Sequence, residues 1–315
     1  VSGAAKWIPR ALSAARILDV LRPGIRYEGE IYRPPSEASS LILQATIGCS
    51  YNRCTFCGMY RDKRFRVRPL EELANEIDWA ARHLGLVRKV FLADGDALVA
   101  KSSFLLELLD SLRQSFPALQ RVSVYASPQS LQVRTVDEMI ALLEAGLSLY
   151  YLGIESGHDA VLADLEKGVD SAEMVQVARK ATEAGVKLST MILLGAGGRR
   201  LSLEHARESA RVVNAIQPRF LSTLVMTSVE GTPLHATRLR GEVDELDPVE
   251  LARELRELIA GLDLEATVFR SNHASNYLTL EGTLPRDRER LLGALDRVLS
   301  DPAQARFVPE WMRGL

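Results

Sequence analysis

Cysteine is nearly missing from this 315-residue chain: there are three, all between positions 49 and 57. Three thiols exclude a framework of paired disulfides, and such a chain is expected in a reducing compartment. Long apolar runs are missing too. None approaches the roughly 18 residues of a membrane span. The opening stretch, Val1 to Leu21, interleaves Lys6, Arg10, Arg16 and Asp19 with its apolar residues, unlike a signal peptide. No membrane partner is expected, and the cytoplasm is the expected location. Net charge is small as well: 39 Lys and Arg stand against 41 Asp and Glu, giving −2. That argues against nucleic acid as a general partner, a local basic patch aside. With 47% hydrophobic and 25% charged residues, the chain can bury one large core or two modest ones.

What is present is a tight group of thiols. Cys49, Cys54 and Cys57 are spaced C-x4-C-x2-C, directly after the apolar, strand-like run Ser40–Ile47. Buried free cysteines scatter through a core as small hydrophobes, and these do not scatter. A structural zinc site needs four ligands, so zinc would have to recruit His83, His158, His205, His235 or His273. A 4Fe–4S cluster on three thiolates instead leaves one iron open, and an open coordination position is where metal sites do chemistry. Ligand counting favours the open cluster over zinc.

The segment resembles the cluster motif of the radical S-adenosylmethionine (SAM) superfamily, with Phe56 as the aromatic residue before the third cysteine. The spacing is one residue longer than the family's common C-x3-C-x2-C. The resemblance extends over roughly residues 40 to 230 and implies one 4Fe–4S cluster held by Cys49, Cys54 and Cys57, with SAM on the open iron.

Along the chain, strand-like and helix-like segments alternate. The expected strands are Ser40–Ile47, Lys89–Ala93, Arg121–Ala126, Ser148–Ile154, Lys187–Leu194 and Arg219–Met226. The expected helices between them are Leu70–Leu84, Ser103–Ser115, Val136–Ala145, Ser171–Ala184 and Leu203–Ile216, three of them closed by Gly85, Gly146 and Gly185. Repeated βα units predict an α/β fold with a parallel sheet. The pattern alone leaves barrel and doubly wound folds open; the resemblance implies a partial (β/α)6 TIM-type barrel. Residues 1–39, with a helix over Pro9–Leu21 and a strand over Tyr27–Tyr32, are expected to form an N-terminal cap. The barrel would occupy 40–232, and 233–315 a mainly helical extension closing it, with a helix over Pro248–Leu262 capped by Asp247, a strand over Leu264–Arg270 and a helix over Arg286–Leu299.

Barrel enzymes work at the C-terminal ends of their strands, and each end carries a candidate. Strand one leads into the cluster loop, whose tail, Arg61 to Arg68, holds five cations and reads first as a solvated loop. Strand two ends in Asp94-Gly95-Asp96, where an acid beside a flexible glycine suits an ammonium ligand. The resemblance implies a contact there with the SAM amino group, and near Ser127, after strand three, a contact with the SAM ribose or methionine. Gly153-Ile-Glu155-Ser156-Gly157 follows a pattern of Elongator-type and coproporphyrinogen-type members, so Glu155 and Ser156 are SAM-pocket candidates and Lys167 is a candidate cation for the SAM carboxylate. Gly195 opens a glycine-rich stretch implied to wall the adenine. His158, His205 and His235 read as ordinary surface or helix-start residues. In the polar stretch Ser271–Tyr277, His273 and Asn276 are candidates on the substrate side.

The expected function is reductive cleavage of SAM to a 5′-deoxyadenosyl radical that abstracts hydrogen from a substrate, with an electron donor such as flavodoxin or ferredoxin. The alternatives are a non-catalytic Fe–S protein for electron transfer or redox sensing, and a zinc-stabilised binding module. Having no cysteines beyond the three argues against an auxiliary cluster of the methylthiotransferase or twitch type.

Overall fold

A computed structural model describes residues 24–314; the helix expected over Pro9–Leu21 lies outside them. In chain order the elements are β1 (Leu41–Gln44), β2 (Thr46–Ile47), β3 (Arg66–Val67), α1 (Leu70–His83), β4 (Lys89–Ala93), α2 (Ser102–Ser115), β5 (Arg121–Ala126), α3 (Pro128–Val133) and α4 (Val136–Glu144). There follow β6 (Leu147–Glu155), α5 (Asp159–Asp164), α6 (Ser171–Glu183), β7 (Lys187–Leu194), α7 (Gly198–Ile216), β8 (Phe220–Val225) and α8 (Pro233–Leu239). The chain closes with α9 (Pro248–Gly261), β9 (Thr267–Arg270), β10 (Glu281–Leu284) and α10 (Arg288–Ser300).

One sheet carries the fold, in the order β1-β4-β5-β6-β7-β8-β9-β10. The first six of these strands run parallel, each next to the preceding one, and form the partial barrel. β9 continues the parallel run beside β8, and β10 turns back antiparallel along β9. The extension is thus mainly helical, as expected, and also lends two strands to the sheet. β10 escapes the sequence reading because Glu-Gly-Thr-Leu carries too little apolar alternation to register as a strand.

Strand alternation divides the molecule into two apolar layers. Leu41, Leu43, Val90, Leu92, Val124, Leu152, Ile154 and Ile192 face the helices and join one large core. Their neighbours Ile42, Phe91, Ala93, Leu149 and Tyr151 face the lumen, where Tyr125, Met191 and Phe220 pack against them. Phe91, Tyr125 and Tyr151 meet edge to face, with centroids 5.0 to 6.0 Å apart. The buried rings of Phe91 and Tyr151 each contribute about 2 kcal/mol from area alone.

The segment expected as a strand over Tyr27–Tyr32 is irregular and threads the lumen instead. Tyr27 and Ile31 pack on the inner cluster, and the Glu28 N–H donates to Gln44 Oε1 (2.8 Å). Further along, Glu37 is fully buried and pairs with Arg121 (2.6 Å) and the Tyr151 hydroxyl (2.6 Å). The segment finds side-chain partners rather than a strand edge, and Pro34 and Pro35 offer no N–H to a ladder. Of the three helix-closing glycines, Gly146 (φ 107°) and Gly185 (φ 82°) do take the left-handed conformation. α1 instead leaves through an extended Leu84, so Gly85 has no such task.

Candidate active site

Ala45 separates β1 from β2, and β2 pairs antiparallel with β3. The short β2–β3 hairpin holds residues 48–65 out beyond the C-terminal end of β1. The basic tail of this loop is not the solvated run the sequence predicts. Arg61 donates to the carbonyls of Cys57 (2.9 Å) and Cys54 (2.6 Å), tying the thiol turn shut. Lys63 is buried and pairs with Asp94 (3.0 Å). Arg68, also buried, is bound by Glu76 (2.8 Å) and Glu72 (3.1 Å), and Arg66 pairs with Glu28 at the surface (2.5 Å). Four of the five cations are therefore fasteners for the loop.

All three cysteines are free thiols, each half-buried. Burial pushes the Cys57 thiol up to about 11, and its neighbours Cys54 and Cys49 add to the effect. Burial also raises Cys49 and Cys54. Thiols that oppose one another's ionisation in this way form one electrostatic group that a cationic metal centre would relieve. Among the described residues, no group of three or more His, Cys, Asp or Glu is arranged to hold a single metal ion. A mononuclear zinc site would need a fourth ligand beside the three thiols, whereas thiolates serving different irons of a cluster need not meet at one point. Gly95 adds a cradle: a Cβ there would stand 2.9 Å from the Cys49 Cβ and 2.5 Å from the ring of buried Tyr60. The residues present fit a 4Fe–4S cluster. Phe56 is half-buried within the same loop.

The two acids after β4 face inward and are already engaged. The Ala93–Asp94 peptide is cis, and Asp94 Oδ2 accepts from Gln44 Nε2 (2.8 Å), the Gly48 N–H (3.0 Å) and Lys63. Its Oδ1 is buried with no hydrogen-bond partner, which leaves one acceptor for a ligand donor. Asp96 is fully buried; its oxygens accept from Ser50 Oγ (2.5 Å), Ser127 Oγ (2.7 Å) and the Ser127 N–H (3.0 Å). Asp96 thus stitches the cluster loop to the end of β5. Ser127 also caps α3 in a reciprocal arrangement with Ser130, so both residues serve as braces.

Glu155 ends β6 at a bulge, with φ +66°, a left-handed backbone that a residue with a Cβ seldom adopts. Its carboxylate pairs with Lys167 Nζ at 2.8 Å, both side chains nearly buried. Burial opposes the Lys167 charge, but Glu155 and then Cys54 outweigh it and hold the ammonium above its usual range. Gly153 is required beneath this pair, since a Cβ there would fall 1.9 Å from Glu155 Oε1. Cys54, Lys167 and Glu155 therefore meet at one end of the lumen.

Ser156 points the other way, into the helix layer. Its hydroxyl meets His205 Nδ1 (2.7 Å), and His205 Nε2 donates to the Leu193 carbonyl (3.0 Å). His205, expected at a surface or helix start, is fully buried on α7; nothing in the sequence discloses the partners that satisfy it. The Gly195 N–H donates to Glu254 of α9 (2.6 Å), which also accepts from Ser202 (2.6 Å). The extension thus holds the glycine-rich turn in place. In the polar stretch, Asn276 accepts from the Val225 N–H (2.8 Å) and donates to the Thr223 carbonyl (2.7 Å). That brings the stretch to the C-terminal end of β8, with the Asn276 amide spent on bracing the strand. His273 Nδ1 is taken up by Ser275. A cleft of about 320 Å³ opens beside the cluster loop, lined by Glu30, Tyr32, Met59, Arg61 and Glu230 among others. Among the described residues no helix is long and apolar enough to cross a membrane.

The family model of the radical SAM superfamily matches residues 43–211, more than half of the chain. Among curated proteins, the chain is 24% identical to the tRNA-2-methylthio-N(6)-dimethylallyladenosine synthase of Bordetella petrii, over 95% of this chain and 63% of that one. An uncharacterized protein of Methanocaldococcus jannaschii is 23% identical over 50% of this chain and 48% of its own. The chain thus spans less than two thirds of either relative. Among solved structures, methylornithine synthase superposes with a TM-score of 0.51 at 18% identity, covering 84% of this chain and 81% of that one. Coproporphyrinogen III oxidase of Escherichia coli gives 0.52 at 17%, covering 70% and 51%. The protein belongs to the radical SAM superfamily of enzymes, which use a 4Fe–4S cluster and S-adenosylmethionine, bind a substrate and take electrons from a reductant.

Proposed function

We propose that this enzyme cleaves SAM reductively to a 5′-deoxyadenosyl radical that abstracts hydrogen from its substrate. The observation that carries the reading is the three-thiol loop, fastened beyond β1 with Lys167 and Glu155 beside it and no fourth cysteine in the chain. In this reading Cys49, Cys54 and Cys57 are the protein ligands of the cluster. The cluster, when bound, supplies the electron for SAM cleavage at an iron free of protein ligands. Lys167, held cationic by Glu155, faces the SAM carboxylate, and Asp94 Oδ1 is the acceptor left for its ammonium. Gly95 keeps the wall beside Cys49 clear, Phe56 shields the loop, and Gly195 borders the adenine. Asp96, Ser127 and Ser156 act through the loop and strand ends they brace. His273 and Asn276 steady the β8 end of the mouth, a positioning role toward substrate. The exposed cations Arg53 and Arg64 on the cluster loop suit an acidic electron carrier such as flavodoxin or ferredoxin, in a reducing cytoplasm where such carriers and free thiols persist.

Anaerobic reconstitution tests the reading. The wild-type protein is expected to hold about four irons per chain and to release 5′-deoxyadenosine when reduced with SAM. Cys54→Ala is expected to lose the visible sulfur-to-iron absorption and that product together. A Cys54→Ala protein that keeps both would sink the assignment.

A further inference from the structure

The upper lumen contains a cation that no described residue answers. Arg270 is the last residue of β9, the end at which barrels place their working side chains. Its neighbour Phe269 is fully buried in the helix-side core, so alternation turns Arg270 to the opposite, inner face. It stands across from Ser222 of β8. Ser222 lies two residues beyond Phe220, which packs on the inner cluster, and so shares that face. No hydrogen bond or ion pair joins either the Arg270 guanidinium or the Ser222 hydroxyl to a described residue. Even Glu281, opposite Arg270 on β10, makes no ion pair with it.

Register extends this pair into a layer. Gly153 of β6 aligns with Met191 of β7, Met191 with Ser222, and Ser222 with Arg270. All four are half-exposed, while Phe91, Leu149 and Tyr151 of the layers below are buried. Phe91, Leu149 and Tyr151 fill the β4 and β6 side of the lower lumen, while every member of this layer from β6 to β9 keeps some exposure. At one end of this layer the Glu155–Lys167 pair overhangs Gly153. Arg270 stands at the other end, three strands away, about 14 Å along the sheet at roughly 4.8 Å per strand. Arg270 is half-exposed between Ser222 and Glu281 and bonded to neither side chain, so its planar fork remains available for two oxygens of a carboxylate or phosphate.

We propose that Arg270, with the Ser222 hydroxyl beside it, is the recognition point for an anionic group of the substrate, a carboxylate or a phosphate. It would anchor the substrate across this layer from the Glu155–Lys167 end. The word substrate rests on the radical SAM reading above; the anion site itself does not.

The test is isothermal titration of the reconstituted, SAM-loaded protein with inorganic phosphate in one arm and glutarate in the other. Wild type is expected to bind one of the two, and the tighter arm names the group. Arg270→Gln is expected to weaken that binding at least about tenfold, as removal of a charge-assisted pair predicts. Arg270→Lys keeps the charge without the fork and should fall between them; it also serves if the glutamine variant does not fold. Wild type and Arg270→Gln behaving alike in both arms, or wild type binding neither anion, would overturn the proposal. A wild-type protein that fails to retain its cluster or bind SAM would instead count against the radical SAM reading, so the two failures are distinct.

Discussion

Asp96 and Glu155 are both buried carboxylates at strand ends, and their partners differ. Asp96 spends its oxygens on Ser50 and Ser127, whereas Glu155 holds a lysine against the thiol loop. Sequence marked both as candidates but could not show what engages them, because the hydroxyls bonded to Asp96 lie 46 and 31 residues away. The cysteines were legible because their spacing is local. Arg270 was not, because only sheet register shows which face it takes and what stands beside it. The Glu155–Lys167 pair carries a prediction of its own. Removing one member leaves an uncompensated buried charge, so Lys167→Met should destabilise the cluster-free protein by about 3–5 kcal/mol in urea melts. Pairing it with Glu155→Gln should recover much of that loss. A double variant as unstable as the sum of the two single variants would show that the pair is not coupled.

Among the elements, α7 and α9 show how the extension reaches the site. Glu254 on α9 and His205 on α7 lie 3.7 Å apart, both fully buried, between the glycine-rich turn and Ser156. Burial raises the Glu254 carboxyl from 4.5 to about 7 and lowers His205 from 6.5 to about 4. The two shifts pull stability in opposite directions. Glu254 binds its proton more tightly when folded, so its contribution is complete below pH 4.5 and is lost as pH rises through about 7. The His205 contribution is present above pH 6.5 and is lost as pH falls toward about 4. Between 4.5 and 6.5 they offset each other. Relative to wild type, Glu254→Gln should add a rise in stability on the order of 2 kcal/mol between pH 4.5 and 6.5, because the opposing slope is gone. Denaturant melts of both proteins across that range would check it, and parallel profiles would contradict it. α9 itself was legible from Asp247 and its amphipathic run, with the expected cap observed. Its bond to Gly195 was not, since a glutamate inside a charged helix reads as solvated.

At the scale of the whole molecule, alternation of βα units disclosed the parallel sheet and the family resemblance its barrel form, while the way the flanking segments meet the lumen stayed hidden. Residues 26–37 enter the barrel from a stretch that reads as a cap, and β9 and β10 widen the sheet beyond six strands. β9 was legible as a strand over Leu264–Arg270, but its place beside β8, β10 itself and the path of residues 26–37 follow from long-range pairing that local propensity does not carry. The outcome is a lumen with thiols and a buried ion pair at one side and an arginine at the other. The central claim is that one iron at the thiol loop is open and meets SAM. Electron paramagnetic resonance of the dithionite-reduced, reconstituted protein tests it most directly, by recording the cluster signal before and after SAM is added. The account predicts a single 4Fe–4S signal whose shape changes on adding SAM. A cluster signal indifferent to SAM, or a reconstituted protein carrying no such cluster, would contradict it.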